Sequence, residues 1–189
     1  MESWYGELGQ GRKSAGNQCS FCEQYTTSSA DSTGIKRKAG EASTMVNYHM
    51  LATEFRSLIE QARDKRSFPG RDRMSGFPRG CCDDATDLFA HYLWKTYEIQ
   101  SVRVDGSYYD DNPENNIWHT WLEVEGVIID LTADQFPEYK NIYIGKQDKF
   151  HAMFEVERQE YIGYMSLGDG CWDRMNMCYE AIMRNSAIT

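Results

Sequence analysis

The stretch FPRGCCDDATDLFAHYLW, residues 77–94, places two adjacent cysteines, Cys81 and Cys82, directly before a run whose apolar residues recur at helical spacing. A thiol at a helix start meets the positive end of the macrodipole, which favours the thiolate, the nucleophilic form. Asp83 and Asp84 oppose that effect, because neighbouring carboxylates disfavour another negative charge. Both cysteines flank the buried stripe at similar angles, so spacing does not choose between them. A thiolate that attacks an acyl carbon needs a base, and the base needs a group to orient it.

Four histidines are candidates for the base. His49 falls in a helical segment with no acid at matched spacing. His91 shares a helix with the cysteines but lies about 13 Å along the axis from Cys82, beyond reach. His151, with Asp148 nearby, is read as the start of a strand and stays in reserve. His119 stands in NIWHTWLEVEGVIIDLTADQF, residues 116–136, which reads as a hairpin closed by Glu125-Gly126. Glycine tolerates the positive φ that a two-residue loop demands. That loop sets Val124 opposite Val127, Trp121 opposite Asp130 and His119 opposite Thr132. His119 and Asp130 then become diagonal neighbours on one face, within about 7 Å between β-carbons. The other face carries Leu122, Val124, Val127, Ile129 and Leu131. One face is therefore expected to be core, the other to present an imidazole beside a carboxylate. A register one residue longer would turn Asp130 away. A structural hydrogen-bonded pair is the competing reading of these two residues.

The elements that must position these groups follow from periodicity. Leu51, Phe55, Leu58, Ile59 and Ala62 predict a first helix to about Arg66; Ala85, Leu88, Phe89, Tyr92, Leu93 and Thr96 predict a second over 83–97. Between them SFPGRDRMSGFPRG is broken by proline and glycine. Strands are predicted around 100–107, 117–125, 127–132, 141–145 and 151–156. A last helix is predicted from Met175, Cys178, Tyr179, Ile182 and Met183, read as core packing. Helices, then adjacent strands, then a helix describe an α+β domain with an antiparallel sheet.

The chain of 189 residues is long enough for one domain with a full core. Residues 1–44, rich in Gly, Ser, Thr and Lys, read as a flexible tail, leaving 45–189 as the folded unit. A net charge of -9 repels phosphate backbones and anionic lipid, so neither nucleic acid nor a membrane is expected as a partner. No apolar run approaches the roughly 20 residues a membrane helix needs, and the start lacks the pattern of a secretory signal. A cytoplasmic protein, or one exported without a classical signal peptide, is expected, with its six cysteines as free thiols. KRK at 36–38 reads as a solvated tail, and GELGQG at 6–11 follows no strand and so carries no nucleotide reading. CSFC at 19–22 is half a zinc site at most; Cys171 and Cys178 would complete it only at an unusual spacing. No metal or cofactor is expected.

The order Cys, then His-x-Trp-x-Glu, then Asp resembles the transglutaminase-like branch of papain-fold cysteine enzymes, and small bacterial members in particular. FPRGCCDDATDLFAHYL, HTWLEV and GVIIDLTADQF carry the resemblance, from Phe77 to Phe136. It implies a papain-like, transglutaminase-like core in which a nucleophile helix packs on an antiparallel sheet. It implies Cys82 as nucleophile, with Cys81 in place of a serine, His119 as base and Asp130 as orienting carboxylate. Asp83 departs from the pattern, where glycine is usual. The implied chemistry is acyl transfer from amide bonds through a thioester, as a peptidase or a protein-glutamine deamidase or transglutaminase, on a protein or peptide substrate. Trp118 and Trp121 are read as cleft walls and Gln135 as a substrate contact, with packing or turn formation as the alternative for each. Asp134 is read in the same way. A non-catalytic papain-fold module that binds a peptide or protein is the rival expectation.

Overall fold

The computed structural model describes residues 46–161, 169–184 and 186. The expected tail, with CSFC, KRK and GELGQG, lies outside the described residues. Helix α1 spans Tyr48–Asp64, its N-terminus capped by the Asn47 side chain, which accepts from the Met50 N–H at 3.0 Å. It buries Leu51, Phe55, Leu58, Ile59 and Ala62, the stripe expected from spacing. Helix α2 spans Cys82–Tyr97 and ends at Glu98, whose left-handed φ of 55° turns the chain away. Helix α3 spans Asp169–Met183 and buries Met175, Cys178, Tyr179 and Ile182.

The chain also forms five strands, β1 Val102–Tyr108, β2 Ile117–Val124, β3 Val127–Asp130, β4 Tyr143–Gly145 and β5 Glu155–Glu160. They make one antiparallel sheet in the order β4-β3-β2-β1-β5. The molecule is thus an α+β protein, mixing helices with an antiparallel five-stranded sheet. The Glu125-Gly126 loop closes β2 on β3 with φ of 51° and 77°, as a hairpin with positive φ at both central positions requires. Val124 pairs with Val127 and Leu122 with Ile129, the register predicted. Among the described residues no helix is long and apolar enough to cross a membrane.

Helix α2 is covered on more sides than its stripe implies. Phe89 and Tyr92 meet Phe55 of α1, with ring centroids 5.4 and 4.8 Å apart. On the sheet side Thr86 donates to the Thr120 carbonyl at 3.2 Å, and Asp87 pairs with Arg103 at 2.7 Å. These partners let a helix bury Thr86 and Asp87 without orphaned polar groups. Thr96, expected in the stripe, is exposed because the last turn runs past this cover.

The expectation that only one sheet face is core is corrected. Leu122, Val124, Ile129 and Leu131 join the helix-side core, but a second cluster of Val104, Trp121, Ile128, Phe150 and Phe154 lies apart from it. Phe136, Tyr139 and Tyr143 pack against that cluster. Most of these aromatics come from the connections around β4, where no period announces them. The strand predicted over 151–156 starts at Glu155, because His151–Met153 form a single 3-10 turn. The Phe150 carbonyl closes that turn by accepting the Met153 N–H at 3.1 Å, and the Asp148 carbonyl accepts the Ala152 N–H at 3.0 Å. Gly106 makes the second layer fit: a Cβ there would stand 2.7 Å from the Trp121 ring and 3.0 Å from Phe154.

Candidate functional site

Gly80, with φ of 68°, turns the chain into Cys81, the N-cap of α2, whose side chain makes no capping hydrogen bond. The first-turn N–H groups of α2 therefore have no side-chain acceptor from their own cap. Cys81 is fully buried in the helix-side core, whereas Cys82, the first helical residue, is half-buried. Burial first, and then Asp84, push the Cys81 thiol far above the ordinary thiol range.

Helix α2 packs against β2. Thr86 sits at Thr120, and Asp87 reaches Arg103, which pairs with Leu122. Cys82 stands about one turn before Thr86 and is near enough to His119 to affect its pKa. The His119 ring is 0 % exposed, and its Nε2 lies 2.7 Å from Asp130 Oδ2. An ionised carboxylate only accepts, so Nε2 carries the donated proton. Asp130 Oδ1 accepts from the Thr132 N–H at 2.9 Å and from its hydroxyl at 3.3 Å. The Cys82 thiol is close enough to the imidazole to contribute to its raised pKa, and with Nε2 engaged by Asp130 the free edge of the ring is Nδ1, which Gln135 Nε2 approaches at 3.3 Å. Imidazole and carboxylate thus stand together from β2 and β3, with the Cys82 thiol of α2 in their neighbourhood.

The electrostatics of the site follow from burial and pairing. Burial pulls the His119 pKa down, but the Asp130 charge and hydrogen bond, with Cys82 beside the ring, raise it to about 9. Asp130 moves the other way: burial disfavours its charge, while His119 and the Thr132 N–H hold it well below the usual carboxylate range. Aromatic rings enclose the imidazole, with Phe136 at 4.8 Å and Trp121 at 5.8 Å between centroids.

The acidic pair beside Cys82 is neutralised. Arg73 reaches Asp84 at 2.7 Å and Asp83 at 3.0 Å, and Arg174 of α3 donates from Nη1 to Asp84 at 3.0 Å and to Asp72 at 3.1 Å. Neither arginine is suggested by local spacing, because Arg174 is ninety positions from Asp84. The clash expected between these carboxylates and a thiolate is therefore offset by two guanidinium groups.

The remaining sequence candidates separate. Trp118 is 64 % exposed and meets Tyr109 edge-on at 5.8 Å. Trp121 is 1 % exposed, so it is a core residue and not a cleft wall; Gly106 gives its ring room to lie inward. Gln135 Nε2 stands 3.3 Å from His119 Nδ1 and 3.2 Å from Thr132 Oγ1, at the imidazole edge. Asp134 is taken by Arg56 in a two-point contact at 2.9 and 2.7 Å, so it supports the loop. His91 is buried beside Tyr179 and lowered to about 4 by burial and by Lys95. His49, on α1, stands 3.5 Å from the Thr53 hydroxyl. His151, fully buried, approaches the same Asp130 oxygen as His119, with Nε2 3.4 Å from Asp130 Oδ2 and Nδ1 2.8 Å from Asp148. Its adjacency to Asp130 is the feature sequence reasoning missed. Only its closeness to Asp148 was visible. Among the described residues no group of His, Cys, Asp and Glu side chains is arranged to hold a metal ion.

No protein-family model matches the chain, and neither curated proteins nor solved structures give a significant match to it.

Proposed function

We propose that this protein is a thiol-dependent acyl-transfer enzyme of the transglutaminase-like, papain-fold kind, acting on amide bonds in a protein or peptide. The observation that carries the reading is the buried His119–Asp130 pair, whose imidazole holds a carboxylate on Nε2 and has the Cys82 thiol near enough to raise its pKa. A hydrogen-bonded structural pair has no need of the thiol.

The mechanism follows from the groups in place. Cys82 Sγ passes its proton to His119 Nδ1 and attacks the amide carbonyl, forming a tetrahedral adduct. The Cys82 N–H, at the uncapped start of α2, donates to the oxyanion. His119 then protonates the leaving amine as the adduct collapses to a thioester. Asp130 holds the ring and balances its charge while the ring is cationic. Water completes hydrolysis or deamidation; a primary amine completes crosslinking. Arg73 and Arg174 keep Asp83 and Asp84 from opposing negative charge at sulfur. Trp118, exposed at the same end of β2, is positioned to meet substrate.

The test offers a glutamine-containing protein with and without a labelled primary amine and follows products by mass spectrometry. Cleavage, conversion of glutamine to glutamate, or incorporation of label supports the reading if Cys82→Ala abolishes it. Full product formation by Cys82→Ala would overturn it.

A second reading, a non-catalytic binding module of the same shape, draws on one observation: His119 and Asp130 are wholly enclosed, and only Cys82 of the three is part-exposed. It predicts peptide binding that survives Cys82→Ala, with no chemical product.

A further inference from the structure

A second imidazole is aimed at the same carboxylate oxygen. His151 is 0 % exposed, and its Nδ1 lies 2.8 Å from Asp148 Oδ1, which also accepts the His151 backbone N–H at 2.9 Å. The Tyr139 hydroxyl donates to the other Asp148 oxygen. Asp148 is thus a pure acceptor, and Nδ1–H of His151 is fixed by it. That leaves Nε2 facing Asp130 Oδ2 at 3.4 Å, in ion-pair range but longer than a formed hydrogen bond, with no other partner. The ring is held there by Tyr143 at 4.9 Å, Trp121 at 5.0 Å and Phe150 at 5.3 Å. A bare lone pair facing a carboxylate in so dry a place would be repelled, which makes Nε2 a candidate donor to Asp130.

We propose that His151 is a positioning residue for the reaction: through the same Asp130 oxygen that holds His119 it orients the carboxylate and balances its charge when His119 gives up its proton to the leaving amine. Asp130 Oδ2 then has two donors, one that cycles and one that stays. Without the second donor, Asp130 would hold the His119 proton more tightly and deliver it less readily. Asp148 and Tyr139 serve His151 as Asp130 serves His119. The inference rests on the proposed function, since it gives His151 a role only if His119 exchanges a proton with Cys82.

The charged and titratable groups facing this path are Cys82, His119, Asp130, Asp148, Tyr139 and Tyr143, and each is kept intact in the test. Three variants are compared with the wild type, namely His151→Phe, His151→Asn and His151→Gln. Gln can place its amide where Nε2 stands, Asn only where Nδ1 stands. Alkylation of Cys82 is followed from pH 5 to pH 10. In His151→Phe and His151→Asn the pH limbs should move upward, slowing alkylation at pH 6 about tenfold, with His151→Gln retaining more of the rate. Identical limbs in wild type and all three variants would overturn the proposal, because a purely structural histidine changes stability and not the limbs. If the variants do not fold, ring-nitrogen NMR of the wild type decides: protons on both His151 nitrogens at pH 6 support the proposal, and a bare Nε2 sinks it. A wild-type alkylation rate that does not respond to His119→Ala would instead refute the proposed function itself.

Discussion

Replacing Asp130 by Asn keeps its shape and its acceptor for the Thr132 N–H but removes the charge that holds His119 protonated. The linked stability can be worked from the structure. A ring whose pKa is about 9 in the fold and about 6.5 in the unfolded chain contributes stability fully below pH 6.5. That contribution is lost as pH rises through 9. At roughly 1.4 kcal/mol per unit it amounts to about 3 kcal/mol at pH 6, about 2.5 at pH 7 and almost nothing at pH 10. In Asp130→Asn burial dominates, and His119 is expected to fold as the neutral ring. Urea melts of both proteins at several pH values give the difference directly, and groups common to both cancel. The stability gap should close steadily between pH 6 and pH 10. A gap that stays level across that range, or widens with pH, would refute the claim that Asp130 acts by keeping His119 charged.

Other expectations are independent of this one. In the native protein an alkylating agent at neutral pH should label Cys82 and leave Cys81 untouched, as read by peptide fragmentation; Cys81→Ser should keep that labelling and Cys82→Ser lose it. Gly106→Ala should destabilise by about 1–3 kcal/mol through overpacking against Trp121 and Phe154, and a denaturation midpoint unchanged from wild type would contradict the packing described. Arg174→Met leaves buried Asp84 with Arg73 alone. It should cost about 1–3 kcal/mol, less than a fully enclosed pair because Arg174 is a third exposed, and should slow Cys82 alkylation several-fold.

What could be read from the sequence divides along physical lines. The hairpin was legible because Glu125-Gly126 admits one tight turn, and that turn fixes the pairings from Val124 with Val127 to Leu122 with Ile129, the register that sets His119 and Asp130 close together. The buried stripes of α1 and α2 were legible because helical spacing is local. The choice of Cys82 over Cys81 was not available from spacing; the structure distinguishes the two by burial, Cys81 being enclosed in the core and Cys82 half-buried. The second aromatic layer was hidden because Phe136, Tyr139 and Phe150 sit in connections without a period. The arginines that neutralise Asp83 and Asp84 were hidden because the partners are joined by the fold alone. His151 illustrates both limits: its tie to Asp148, three positions away, was visible, while its approach to Asp130 depends on a 3-10 turn that replaced the expected strand.

The central claim is that Cys82 and His119 share a proton. It is tested most directly by the alkylation rate of Cys82 at pH 6, in wild type and in His119→Ala, against an unstructured cysteine peptide. An ordinary thiol is only about 0.3 % thiolate at that pH. A sulfur paired with an imidazolium should react at least about tenfold faster than the peptide, even allowing for its lower intrinsic nucleophilicity. The rate should fall to that of the peptide or below in His119→Ala. Equal rates in wild type, His119→Ala and peptide would contradict the account.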